Sequence, residues 1–385
     1  MSIDDYSELA VKAISTINEL WRIDPDRLQW VGDTSPKTIF RDGYGLDCWP
    51  GDFRVRVRVH GPHPEIDQPT YRLSVQTDFL CDVDVTTQSF VNRISLFNRF
   101  SPTFAICTYP SDVDQLIGKF ALTDELDLKA TRVWLASTAY LNDSNKDWVP
   151  RFFAGLTIMQ PIEAQNGSEN MGRMLGGISD RSTPTGHKLQ TNLDEILNIQ
   201  TTVIEPEGQK PNRWIGTGEF EEIIDKWGHS NNGFGFADKT GLIFEIPFGA
   251  ETAILTLKTD QSHPRLGNGL FALLKIPLLS DEKDAAEFSL GLNYLESLIW
   301  QKLGMPLIGN WCANKVFEAQ GAEHNFGPSF SCFIPNLFYQ PGIAENLLLY
   351  AMCRARCVRQ TWPSNETKST VAEILSKRLN VGTLK

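Results

Sequence analysis

The chain has 385 residues, 41% of them hydrophobic and 22% charged. At roughly 100–200 residues per domain that is enough for two or three domains with real cores. Its formal net charge is -11, from 36 basic and 47 acidic residues, which opposes general binding to nucleic acid or anionic membrane. No window approaches the ~18 uninterrupted apolar residues of a transmembrane helix. The acidic start Met1-Ser-Ile-Asp-Asp-Tyr6 lacks the basic and apolar character of a signal peptide. Seven Cys, scattered and without CxxC, read as reduced thiols in a cytoplasmic protein.

Residues 4–22 carry Leu9, Ala13, Ile14, Ile17, Leu20 and Trp21 at helical spacing. Residues 25–50, rich in Pro, Gly and Asp, read as loop with short strands. Phe53-Arg-Val-Arg-Val-Arg-Val59 alternates strictly, so Val55, Val57 and Val59 share one face and Arg54, Arg56 and Arg58 the other. A solvated sheet face is the plainer reading of the three arginines; recognition of a phosphate is the alternative. His60-Gly-Pro-His-Pro64 marks a turn, 70–85 a strand region, and 86–100 a helix that stops before Pro102. Strands are expected near 103–109, 115–122 and 130–140, and a helix over 147–165. Residues 166–188 contain five Gly and few order-promoting side chains, so a flexible linker is expected there.

Beyond the linker, helices are expected at 189–203 and at the Phe220, Ile223, Ile224, Trp227 stripe. Strands follow at 241–246, 253–257 and 270–274. A helix is expected over 284–303, short strands within 307–334, and a closing helix over 343–360. A tail helix, 371–379, would start at the capping box Thr370-x-x-Glu373. The last 35 residues hold seven Lys or Arg against two Asp or Glu. Basic residues closing a helix account for this; a contact with the acidic body or an acidic partner is the sharper reading.

The two halves correspond at an offset of about 200 residues. His63-Pro64 matches His263-Pro264, Val55 and Val57 match Leu255 and Leu257, Tyr71 and Leu73 match Phe271 and Leu273, and Asn98 matches Asn293. Internal duplication is the reading. The fold class expected is α+β, as two tandem domains, each an antiparallel sheet with flanking helices in the order α-βββ-α-βββ-α. The expected boundaries are 1–165, a Gly-rich linker at 166–190, and 191–385. A covalent tandem forms its pseudo-two-fold at high effective concentration, so it mimics a dimer within a single chain.

Leu96-Phe-Asn-Arg-Phe-Ser-Pro-Thr-Phe-Ala105, a helix ending in an Asn-Arg pair and leading to a strand, and Arg132-Val-Trp-Leu-Ala-Ser-Thr-Ala-Tyr140, leading to a helix with Trp148 and Phe152-Phe153, carry a resemblance. With the element order, the chain resembles the type III secretion chaperone-like fold, and its first half the YbjN-like family of that fold. The likeness covers most of 1–165 and, more loosely, 215–360. The second half departs from it in a longer middle helix and the missing Asn-Arg pair. The resemblance implies a small acidic α+β domain that binds other proteins and has no active site.

No residue pattern specifies a reaction. The six His form neither HExxH nor His-x-His, and those beside Pro read as turn residues. Cys353 and Cys357 read as core packing rather than metal ligands. Asp78, Asp82 and Asp84 do not follow a calcium-loop pattern and read as solvated loop carboxylates. No G-x-S-x-G elbow is present. Phe234, Phe236, Phe244 and Phe248, interleaved with Gly, are the expected exposed aromatic set. With Arg54, Arg56 and Arg58 they form the candidate partner-binding residues. The reading is a non-enzymatic chaperone or adaptor for a protein partner, with no cofactor, metal, nucleic acid or membrane involved. The alternative is an enzyme or small-ligand sensor with an unfamiliar site between the halves.

Overall fold

The computed structural model describes residues 3–21, 28–31, 44–49, 52–62, 71–83, 90–100, 106–108, 132–141, 146, 149–181, 217–228, 233–238, 240–263, 267–298, 308–315, 325–336, 339 and 341–361. It is α+β, with two antiparallel sheets. The strand expected at 115–122, the connecting helix at 189–203 and the tail helix at 371–379 lie outside the described residues.

The chain divides into two compact units. The first comprises residues 1–90, 103–209 and 301–308. The second comprises 91–102, 210–300 and 309–385. The contiguous boundaries expected at 165 and 190 therefore do not coincide with the units.

In the first unit the elements are α1 (Ile3–Trp21), β1 (Leu28–Val31), β2 (Tyr44–Cys48), β3 (Val55–Pro62), β4 (Tyr71–Cys81), β5 (Ile106–Thr108), β6 (Val133–Leu141), α3 (Val149–Leu175) and β7 (Ile178–Ser179). Helix α2 (Phe90–Phe100) lies between β4 and β5 in sequence. The strands are ordered β1-β2-β3-β4-β6-β5, with β7 paired to β4. The alternation seen in sequence governs the packing. Val55, Val57, Val59, Leu73, Val75 and Leu135 are buried on one face. Helix α3 packs against β3, β4 and β6, and α1 against β2, β3 and α3. Gln160 of α3 ties this layer to the sheet, donating to the Val75 carbonyl at 3.3 Å and accepting from Thr77 Oγ1 at 3.0 Å.

Helix α3 overruns the expected linker, because residues 166–175 are helical. Ala164, Ser168, Met171 and Leu175 recur at helical spacing and are buried. The glycines have structural jobs. Gly176 has φ 73° and the Gly177 N–H returns to the Gly172 carbonyl at 3.0 Å, which is the Schellman end of a helix. Gly172 lets that cap come close, since a Cβ there would stand 2.7 Å from the Gly177 carbonyl oxygen. The remainder of the expected linker, 182–190, lies outside the described residues.

The second unit has α4 (Thr217–Trp227), β8 (Phe234–Ala237), β9 (Gly241–Phe248), β10 (Glu251–His263), β11 (Gly267–Lys275), α5 (Glu282–Leu298), β12 (Asn310–Lys315), β13 (Phe326–Pro335) and α6 (Ile343–Thr361). Its strand order is β12-β13-β11-β10-β9-β8. Read from β8, that is the order of the first sheet. Among the described residues four strands precede the middle helix in each half; two follow it in the second half and three, the short β7 included, in the first. Four strands thus stand ahead of that helix where three were expected; the additional ones come from the loop-like stretch before β3 and from β8, ahead of the expected strand at 241–246. Glycines at matched places support the equivalence. Gly45 opposes Arg58 and Gly241 opposes Lys258. A Cβ on either would overlap the carbonyl oxygen of the preceding residue on the facing strand, Val57 or Leu257. The facing rows are Leu46–Val57–Val75–Ser137 and Leu242–Leu257–Ala272–Cys332. The expected match of Tyr71 and Leu73 to Phe271 and Leu273 is displaced by three, because these rows set Val75 against Ala272 and so Leu73 against Leu270; the buried residues of β11 are Leu270, Ala272 and Leu274. An odd shift reverses the face.

Helix α2 belongs with the second unit. Its Ile94, Ser95 and Asn98 are buried. Ser95 Oγ accepts the Ala313 N–H of β12 at 2.9 Å, and Arg99 pairs with Glu282 at 3.6 Å. Asn293 of α5 holds the same strand, donating to the Trp311 carbonyl at 3.0 Å and accepting its N–H at 2.8 Å. Strand β12 is the last of its sheet, and these side chains take up backbone groups that such a strand would otherwise leave unpaired. Below it lies an ionic cluster in which Glu296 accepts Trp311 Nε1 at 2.6 Å and Arg354 Nε at 2.7 Å. The Arg354 guanidinium stands 3.7 Å from the Phe330 ring centre.

Candidate partner-binding surface

Strand β8 terminates the second sheet at the end opposite β12. A tight turn joins it to β9. Asp238 Oδ1 accepts the Thr240 N–H and hydroxyl, both at 2.7 Å, and the Gly241 N–H at 3.1 Å. Those bonds hold the Asp238 carboxyl below its ordinary value. Gly235 points inward, where a Cβ would stand 2.7 Å from Phe244 Cδ2 and overlap Ile224 of α4. Helix α4 therefore packs directly under β8. Phe234 and Phe236 alternate with Gly235 and point outward, 59% and 60% exposed. Phe236 lies opposite Ile243, itself 48% exposed. Ile243 in turn opposes Thr256, and Thr256 opposes Leu273. The outer face of this sheet thus begins with three exposed apolar side chains, two on its edge strand and one on β9.

Half of the expected aromatic set is elsewhere. Phe244 and Phe248 are buried. On β9 the even-numbered residues Leu242, Phe244, Ile246 and Phe248 are buried, whereas Ile243, Glu245 and Pro247 are exposed. Phe244 is pressed by the close approach of Gly235. Interleaved glycine marked close packing rather than exposure at Phe244.

The three arginines are not a freely solvated face. Arg54 and Arg58 both pair with Asp47 of β2, which has no exposure. Arg56 pairs with Asp78 at 2.8 Å. Arg58 also donates to the Leu46 and Val57 carbonyls at 2.8 and 2.9 Å. Asp78 is a buried strand residue rather than a solvated loop carboxylate, and burial pushes its carboxyl above the ordinary value, with Arg56 opposing. Asp82 is exposed with φ 55°, and Asp84 lies outside the described residues. The signal for this pairing in the sequence is Asp47 between the apolar Leu46 and Cys48 of a strand.

An open groove of about 450 Å³ lies where α4 and α6 begin, lined by Glu219, Glu222, Lys226 and Glu345 among others. Glu219, Lys226 and Glu345 are already paired. Lys226 pairs with Glu345 at 2.6 Å, Trp227 Nε1 donates to Glu345 at 2.8 Å, and Tyr339 donates to Glu219 at 2.5 Å. Cys48, Cys312, Cys332 and Cys357 are buried and free. Burial pushes Cys357 up to about 11 and Cys312 and Cys332 up to about 12, so they are poor nucleophiles at neutral pH. Among the described residues no three His, Cys, Asp or Glu are grouped to hold a metal ion. The side chains of all six His lie outside the described residues. Among the described residues no helix is long and apolar enough to cross a membrane.

No protein-family model, curated protein or solved structure matches this chain.

Proposed function

We propose that the protein is a non-enzymatic binding module, a chaperone or adaptor, that takes an extended segment of a partner protein alongside β8. One observation carries this reading: the terminal strand of the second sheet exposes Phe234 and Phe236, with Ile243 beside them. An edge strand offers backbone N–H and C=O groups to an added strand, and flanking side chains supply selectivity. Aromatic residues make strong anchors in such contacts. Helix α4, under the same edge, exposes Glu221, Glu222 and Asp225. A segment with apolar residues at alternate positions and Lys or Arg between them complements both faces. The shared strand order of the two sheets supports a duplicated unit that acts as a pseudo-dimer within one chain. Free buried thiols fit a reducing, cytoplasmic setting.

The test is selection of displayed peptides on the full chain, followed by hydrogen exchange with the tightest peptide. Alternating apolar and basic peptides are expected, with slowed exchange in β8 and binding lost in Phe234→Asp/Phe236→Asp. Unchanged binding by that variant, with slowed exchange confined to other strands, overturns the reading.

A further inference from the structure

The outer face of the first sheet, turned away from α1 and α3, holds an unbalanced set of hydrogen-bonding groups. Cross-strand register fixes its layout. Asp47, Arg56, Gln76 and Ala136 form one row across β2, β3, β4 and β6. Gly45, Arg58, Ser74 and Thr138 form the next. On the other side Asp78 opposes Trp134, and the Asp78 N–H donates to the Arg54 carbonyl at 3.0 Å. Arg56 lies over Trp134 with its guanidinium carbon 5.9 Å from the ring centre.

The carboxylates on and beside this face all face arginines, Asp180 pairing with Arg132 at 3.5 Å. Asp47 takes Arg54 and Arg58, and Asp78 takes Arg56 Nη2. Asp78 Oδ1 makes no hydrogen bond of good geometry, yet it is 2.8 Å from Arg56 Nη2 and is neutralised there. The donors are in surplus. Gln76 Nε2 and Trp134 Nε1 are both buried and have no acceptor. Native structures seldom leave buried N–H groups in that condition. The charges are unbalanced in the same sense: Arg54, Arg56 and Arg58 face Asp47 and Asp78. Cations therefore outnumber carboxylates on this face, in a chain of net charge -11.

We propose that this face binds an oxyanion, a carboxylate or a phosphate, through Gln76 Nε2, Trp134 Nε1 and the Arg56 guanidinium. A planar or tetrahedral oxyanion has enough lone pairs to accept from all three donors at once. Bonds from a cation and from N–H groups to an ionised acceptor are the strong class of hydrogen bond. Alternation along the strands sets the specificity. Ala136 and Ser74, the neighbours of Gln76 across and along the strand, are small. This site belongs to the first unit and does not depend on the strand-addition reading of β8.

The experiment uses the full chain labelled with 15N at tryptophan. The indole N–H signal absent from Trp134→Phe identifies the reporter. Inorganic phosphate and an acetylated tri-glutamate peptide are added in separate series, each against chloride at equal ionic strength. A saturable movement of the Trp134 signal is expected in at least one series. Gln76→Met, checked for an unchanged melting temperature, should weaken that response by about tenfold, the loss of one charge-assisted bond. Lys258→Gln, an exposed cation of the other sheet, should leave it unchanged. Movement with phosphate assigns a free oxyanion, and movement with the peptide alone assigns a protein carboxylate. A stationary signal in both series, with bound water alone serving the donors, overturns the proposal. So does a response undiminished in Gln76→Met.

Discussion

Arg354→Met should destabilise the second unit by about 3–5 kcal/mol. Arg354 and Glu296 have side-chain exposures of 3% and 1%, so screening by solvent is negligible. Removing one partner of a buried pair leaves an uncompensated charge, and that costs about 3–5 kcal/mol. Glu296 would keep only the Trp311 indole donor at 2.6 Å. The lost cation–π contact on Phe330 adds up to about 2 kcal/mol when desolvated. The double variant Glu296→Leu/Arg354→Met should recover most of the loss. Its residual cost is the lost cation–π contact together with the orphaned Trp311 N–H, the latter about 1–3 kcal/mol for a buried unsatisfied donor. The assay is urea unfolding of the full chain, with hydrogen exchange in β12 and β13 reporting the second unit separately from the first. An Arg354→Met loss below about 1 kcal/mol would show that water reaches Glu296 and that the low-dielectric argument fails. A double variant as unstable as the two single losses added together would refute the compensation.

Two further outcomes depend on pH. The thiols of Cys48, Cys312, Cys332 and Cys357 should resist an aromatic disulfide reagent at pH 8 and react on unfolding; rapid native labelling of the four would contradict their burial. In the unfolded chain these thiols ionise near the ordinary value of 9.0, whereas folded Cys357 keeps its proton to about 11 and Cys312 and Cys332 to about 12. Their stabilising effect is therefore full below pH 9 and is lost on going above it, by about 1.4 kcal/mol per thiol for each pH unit in that window. The Asp78 carboxyl is raised above 3.8 by burial. Between 3.8 and its raised folded value the native state holds a proton that the unfolded chain has released. The stability gap between the wild type and Asp78→Asn should then shift in favour of the wild type as pH falls through that window. A gap independent of pH, measured by urea midpoints, would count against the raised carboxyl.

Periodicity alone determined most of the elements. Strict alternation at Phe53–Val59 fixed which face of β3 is buried, because side chains on a strand point to opposite sides in turn. The stripes around Phe153 and Leu348 placed two helices, and both residues are fully buried. The parallel order of elements also pointed to duplication, and the two sheets share one strand order. Periodicity states which residues share a face, but not what that face meets. Phe234 and Phe244 belong to one glycine-interleaved aromatic stretch; only the packing of α4 on Gly235 put Phe244 inside and left Phe234 at the edge. The glycines of 166–177 carried the composition of a linker, yet Gly176 and Gly177 end a helix whose buried stripe continues to Leu175. The three arginines were legible as one face, but their carboxylate partners Asp47 and Asp78 lie on other strands. Likewise, helix α2 follows β4 in the chain but joins the second unit, where Ser95 holds Ala313. Local spacing is a property of neighbours along the chain. Burial, charge pairing and edge closure depend on contacts between residues far apart in sequence, and the tertiary structure decided those.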